Sequence, residues 1–427
     1  MKNKAVKITV ITLSIIIGVI ILALAGVKIG ERIIFSEFYK DANKEFKMPG
    51  VNDGLVQQGM VYNSEKEVFI VAGYMSDNTA SRVYVVSKDG KVLSKTQLKN
   101  EDGSDYLGHT GGVEFYKNNL YITEGTKEKG YDGGLDVFPL NEVLEGKEEV
   151  KKVGRVKTYN NPAYCHIYDG YMFVGEFYRE NDYETLDSHR IETPSGDLNT
   201  ALITVFKLDD SKFNVSSKPC AAISTTGAIQ GMYILDGKEI VLSSSWGLSK
   251  SKLYFYDMLY IKSDLETVII DGNPLSLYHL DSACLKDTLE APPMAEEIVY
   301  LDGKLYILNE SACKKYIFGK FLSANNLYSY EYEISGQWLV VRMHLWCISC
   351  DKVAIHALAI HQKNELRYIS LIEASLRKLQ CFALHELNTL YSLLHLWCIP
   401  CFLWVKRTLI FYHIFNIFYK GEKICQK

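Results

Sequence analysis

A three-strand unit repeated five times, short Asx-Gly turns within it, and one long apolar run near the start predict an all-β chain: a five-bladed β-propeller behind an N-terminal transmembrane helix. The chain has 427 residues and is 48% hydrophobic, enough for a large core. Its 29 Tyr against 9 Pro favour strands and turns over helices.

The helix comes first. Lys2, Lys4 and Lys7 precede an uncharged stretch from Ile8 to Val27. About 20 apolar residues suffice to cross a bilayer core as a helix. Basic residues before the span hold that end in the cytoplasm, so residues 8–27 are expected to anchor the chain with the propeller outside. The alternative is a secreted protein, since Ala23-Leu24-Ala25 resembles a signal-peptide cleavage site. No Cys stands near the end of the run, which argues against a lipoprotein.

The repeat fills residues 54–334, with 29–53 as a linker that includes a possible closing strand. The second strand of each unit is the most apolar: Val68-Phe69-Ile70, Leu120-Tyr121-Ile122, Met172-Phe173-Val174, Ile240-Val241-Leu242 and Leu305-Tyr306-Ile307. Asn118-Asn119, Asp169-Gly170, Asp236-Gly237 and Asp302-Gly303 precede four of them and tolerate the positive φ of a tight hairpin. In the first unit Ser64 to Glu67 takes that place. The third strands are Val83–Val86, Leu135–Phe138, Leu202–Phe206, Leu253–Tyr256 and Leu327–Tyr330. Apolar runs without strict alternation fit small sheets buried on both faces, as in propeller blades. An open sandwich or one large barrel is the competing arrangement. The polar stretch from Arg179 to Thr200 reads as an inserted surface loop. Closure is expected to borrow a strand from Glu37 to Val51.

Gln58-Gly59-Met60, Gln230-Gly231-Met232 followed by Ser243-Ser244-Ser245-Trp246-Gly247, and Leu253-Tyr254-Phe255-Tyr256-Asp257 resemble blades of bacterial extracellular propellers, the broad lactonase-like and YncE-like group. The resemblance spans about residues 54–334 and implies the fold. The group's enzymes use metal-binding carboxylates around the axis, a pattern that does not map here residue by residue.

Net charge is −4, but both termini are basic, so the middle is acidic. That excludes a nucleic-acid footprint, which needs clustered Lys and Arg. Cys165, Cys220, Cys284 and Cys313 lie in the repeat; in an exported domain they could form two disulfides in any of three connectivities, but their spacing gives no framework and they read as buried free thiols. After Ile334 the composition changes. The tail, 335–427, holds Gly336 and Gly421 alone of the 30 glycines, and His344–Cys350 nearly recurs as His395–Cys401. Its two CxxC pairs allow a zinc site, Leu390–Val405 a second span, and Ile355 to Leu376 an amphipathic helix. The tail also fits a frameshift, read-through or joined fragment, not native to the fold.

Aligning the repeats places Gln58, Gly111, Gln230 and Glu296 at equivalent points of the strands lining the axis, with His109 just before its strand. Glu124, Glu176, Ser244 and Asn309 fall together at the ends of the second strands. Polar groups converging at a propeller mouth suit a divalent cation such as calcium, or sugar hydroxyls, with Trp246 as a stacking platform. The plainer reading is that these groups satisfy exposed backbone or hold water. No G-x-S-x-G, H-E-x-x-H or phosphate-cradling loop is present. The expected function is an extracellular binding module for a glycan, peptide or surface partner. The alternatives are a metal-dependent lactonase-like hydrolase, with Glu124, Glu176 and Glu296 near a cation, and a structural cell-envelope protein.

Overall fold

The computed structural model describes residues 2–130, 133–261, 266–313, 315–316, 319, 326–334, 339–341 and 358–360. The chain divides into two compact units, 1–335 and 336–427. In the second, the described residues form one antiparallel pair, Leu339–Val341 with Leu358–Ile360. The expected zinc pairs, second span and amphipathic helix of the tail lie outside the described residues.

The first unit is a five-bladed propeller. It begins with helix α1 (Lys2–Ile34), a short helix α2 (Ser36–Asp41) and strand β1 (Ala42–Lys47). α1 is long and apolar enough to cross a membrane, a property that anchors and signal sequences share. Each blade starts with an inner strand: Leu55–Asn63, Val113–Tyr116, Pro162–Tyr168, Ile229–Leu235 and Ala295–Leu301. Each inner strand packs beside the next, and the fifth returns to the first, so the ring is closed. We call the face where inner strands begin the upper face.

Second and third strands follow by antiparallel pairing in every blade. Glycine and aspartate set the hairpins: Asp169, Gly170, Asp236, Gly237, Asp302 and Gly303 all have positive φ. In blade 2 the two-residue turn is Lys117-Asn118, one residue earlier than the Asn118-Asn119 expected, because Tyr116 pairs with Asn119. The second strands are buried on both faces, as in Val68–Met75, where only Tyr74 is partly open. Apolar clusters fill the gaps between blades, with Phe69, Tyr306 and Leu327 between blades 5 and 1, and Leu120, Phe138 and Val85 between blades 1 and 2.

Two outer features were not legible in the repeat. The segment after Asp257 of blade 4 leaves its own sheet. Its strand Asn273–His279 pairs in parallel with Ala221–Thr225 at the edge of blade 3. The expected loop 179–200 carries a 3-10 turn, Asp187–His189, and a small hairpin of Ile191–Glu192 with Leu198–Asn199. Cys165, Cys284 and Cys313 are buried free thiols, while Cys220 is an exposed one, contrary to the reading that all four are buried.

The ring closes through β1. It is the fourth strand of blade 5, antiparallel to Asn326–Glu331, with Ala42 opposite Tyr330 and Lys47 opposite Asn326. Phe46, Met48 and Val51 then enter the core between blades 5 and 1. Burying one aromatic side chain of this kind contributes about 3–5 kcal/mol against its truncation to alanine. A fragment of residues 35–334 should therefore unfold in one cooperative transition by far-ultraviolet circular dichroism. A fragment of 53–334 should melt roughly 10 °C lower or aggregate, since about 3 kcal/mol shifts a domain of this size by that much. Equal melting would remove β1 from the closure.

Candidate functional site at the axial mouth

The inner strands are irregular where they enter the ring. In blade 1 the pairing passes from Gln57 opposite Gly73 to Gly59 opposite Ala72, leaving Gln58 in a bulge. Blade 4 leaves Gln230 between Ile229 and Gly231, and blade 5 leaves Glu296 and Glu297 between Ala295 and Ile298. In blade 3 the same place is Ala163. A bulge re-aims a side chain out of the ladder. The glycine after it serves closeness: a Cβ on Gly59 would stand 2.7 Å from Val113 N, and one on Gly231 2.8 Å from Glu296 O. Glycine thus lets neighbouring inner strands approach at the narrow end of the ring.

The bulges bring polar groups together at the upper mouth. Gln58 Nε2 donates to Glu310 Oε2 at 2.7 Å, and Gln230 Nε2 to Glu296 Oε1 at 3.3 Å. Glu310 follows the second strand of blade 5 and opens a 3-10 turn, Glu310–Ala312. Glu296 is 2% exposed. Burial holds its carboxyl well above the usual carboxylate range, the Glu310 and Glu297 charges add to this, and a hydrogen bond from Ser245 opposes it. Burial also raises Glu310, against the Gln58 hydrogen bond and the Lys315 ammonium.

Two aromatic groups rim the mouth. Tyr74 stacks on His109 with centroids 4.7 Å apart, and Lys315 Nζ donates to Tyr74 Oη at 2.6 Å. The His109 residue keeps an exposed edge, but enclosing protein and then the Lys315 charge disfavour its protonation. On another side, Trp246 lies 5.8 Å from Phe177 and 6.0 Å from Tyr183, with the Arg179 guanidinium 3.9 Å over its ring.

Lower in the ring, buried carboxylates join inner strands. Glu297 Oε1 accepts from Met232 N at 3.3 Å, and Glu114 Oε2 from Ile167 N at 3.1 Å. Each satisfies an N–H of a neighbouring blade that has no ladder partner there.

The ends of the second strands do not converge as expected. Glu124 accepts from Tyr106 Oη and from the His109 backbone, both at 3.1 Å. The Tyr106 hydroxyl lies within hydrogen-bond distance of Asp136 Oδ2 as well, at 2.9 Å, and Arg155 grips Asp136 with hydrogen bonds of 2.7 and 2.8 Å. Glu176 instead faces His189, whose Nδ1 is 3.0 Å from both carboxylate oxygens. That pair borders a separate cavity of about 320 Å³, also lined by Lys157, Asn161, Glu184 and Asp271. Asn309 donates to Pro293 O at 3.3 Å and is buried, and Ser244 is partly open. Strand register is equivalent at these positions, but each blade supplies different loop partners. Among the described residues no group of three or more His, Cys, Asp or Glu is placed to hold a metal ion. The residues brought together are Gln58, Gln230 and Glu296, with His109 and Trp246 at the rim. Glu310, Ser245, Tyr74 and Lys315 were missed. Glu310 lies one residue past the aligned strand end, Tyr74 stands near the end of the second strand of blade 1, and Ser245 and Lys315 sit in loops that do not repeat.

No protein-family model matches the chain, and no curated protein matches it. Similar solved structures include an exo-β-1,3-galactanase from Phanerochaete chrysosporium, at 10% identity over 68% of this chain and 63% of that one, with a TM-score of 0.39. RS223-β-xylosidase shares 12% identity over 68% and 95%, TM-score 0.35. The PQQ-bound aldose sugar dehydrogenase of Streptomyces coelicolor shares 12% over 62% and 76%, TM-score 0.35. At such identities and TM-scores none of these activities carries over to this chain.

The buried carboxyls give a pH signature. A carboxyl raised in the folded state is favoured there in its neutral form, so stability is lost as pH rises from the unfolded value through the folded one. The melting temperature of the wild-type protein should fall between pH 5 and pH 8. Glu296→Gln should flatten that fall by raising stability at pH 8 more than at pH 5. An unchanged slope in the variant would show that Glu296 is ionised in the fold.

Proposed function

We propose that this chain is a membrane-anchored propeller, held outside the cell, that binds a polyhydroxylated ligand, a glycan, at its axial mouth. The observation that carries the reading is the pairing of Gln58 with Glu310 and Gln230 with Glu296 at the mouth, beside the Tyr74–His109 and Trp246 groups. Carboxyl and amide groups offer both donors and acceptors to sugar hydroxyls. Aromatic faces offer the apolar side of a sugar ring a surface to cover. The N-terminal lysines and apolar run support the anchored placement, with the secreted form as its alternative.

Binding of full-length protein in detergent to an array of neutral glycans tests this. Trp246→Ala and Glu296→Gln should each weaken binding about tenfold, the equivalent of about 1.4 kcal/mol. Binding indifferent to both variants, or no binding to any glycan, contradicts the reading and favours a structural envelope protein. A hydrolytic reading of the same mouth rests on the two carboxyls held above their usual range, one of which would serve as general acid. Release of reducing ends from a bound glycan, abolished by Glu296→Gln or Glu310→Gln while binding persists, would select that reading.

A further inference from the structure

The propeller's attachment to α1 says which side of the ring faces a membrane. In blade 5 the inner strand runs from the upper face to the lower, and each following strand reverses it. β1 is the fourth strand and therefore runs from lower to upper. The chain enters the propeller at the lower face, and the axial mouth lies at the opposite one.

The joint is packed rather than a free linker. Phe35 and Phe38 are buried in the apolar cluster between blades 4 and 5, and α2 lies against the outer strands of both. Glu31 is 2% exposed and accepts from Tyr39 Oη. The Arg32 guanidinium sits 3.6 Å over the Tyr39 ring and donates to Tyr328 Oη at 3.2 Å. From Val27, the last residue of the uncharged run, to Phe35 a helix climbs about 12 Å. That distance crosses the headgroup layer, roughly 5–8 Å deep on one side of the hydrocarbon core, and sets the joint just beyond it. Ile29, Ile33 and Ile34 continue the apolar surface of α1 across this interval and are 62%, 68% and 60% exposed. Around the joint the lower rim is rich in tyrosine: Tyr300, Tyr330 and Tyr332 border the same cluster and are partly open. Tyrosine, with an apolar ring and a polar tip, concentrates at membrane–water interfaces.

We propose that the lower rim of blades 4 and 5 docks on a lipid surface through Tyr300, Tyr330 and Tyr332 and the exposed isoleucine face of α1, so that the axial mouth is held away from the bilayer. This rests on the reading that α1 spans the membrane. The docked surface continues the span directly, which names lipid headgroups as its occupant. Lys28 and Arg32, both partly solvent-exposed at the boundary, face the phosphates.

Energy transfer in proteoliposomes tests it. Full-length protein is reconstituted in phosphatidylcholine–phosphatidylglycerol vesicles carrying a rhodamine-labelled headgroup. A fluorescent amino acid is placed either at position 302, in the exposed lower turn of blade 5, or at position 250, in an exposed loop of the upper face of blade 4. Transfer from 302 should exceed transfer from 250 several-fold. Equal transfer, or stronger transfer from 250, overturns the docking while leaving the span intact. Protein that fails to float with the vesicles overturns the span itself, and the docking with it.

Discussion

Six residues at the start of the propeller, Ala42–Lys47, pair with Asn326–Glu331 near its end. A propeller of open sheets would leave an unpaired edge and two uncovered blade faces where the ring fails to meet. This pairing supplies the missing strand of blade 5 and carries Phe46 and Met48 into the gap beside blade 1. The pairing joins the two ends of the propeller sequence, so it is among the most non-local contacts of the ring. The same strand fixes where α1 leaves the ring. Closure of the ring and the position of α1 therefore have one structural origin.

The axial mouth is the counterpart of that closure. Five inner strands brought close around an axis cannot all carry side chains at the point of nearest approach, which Gly59, Gly112 and Gly231 relieve. Bulges beside Gly59 and Gly231 turn Gln58 and Gln230 into the mouth, where they meet Glu310 and Glu296. The carboxyls are disfavoured as charges by burial, and the amides stabilise them only in part. Sites that break local rules for stability are where a fold most often keeps its function.

Much of this was legible in the sequence, for a physical reason. Second strands such as Leu120–Ile122 and Ile240–Leu242 are buried on both faces, so their apolar triplets stand out, and the Asp-Gly turns before three of them need positive φ. The outer strands were not legible. Val92–Lys99 and Leu285–Ala291 leave most of their residues at least partly open and carry polar sequence that does not distinguish a strand from a loop. The strand Asn273–His279 could not be assigned from order in the chain, because it leaves blade 4 to extend blade 3. At the site, repeat alignment found Gln58, Gln230 and Glu296 because they occupy a repeated bulge. It set Glu124 and Glu176 in equivalent register but could not give their partners: Tyr106 and His189, which bind them, come from loops peculiar to their own blades. Glu310 escaped because the repeat ends one residue before it.

Native-state hydrogen exchange tests most directly whether β1 is integral to the ring. Amides of β1 that bond to Asn326–Glu331 should exchange only through global unfolding, with the same free energy as amides of the inner strand Ile229–Leu235. Both sets should also lose protection at the same denaturant concentration. Exchange of β1 amides many times faster than those of the inner strand, with the inner strand still protected, would show a ring that stands without its closing strand and would contradict the account.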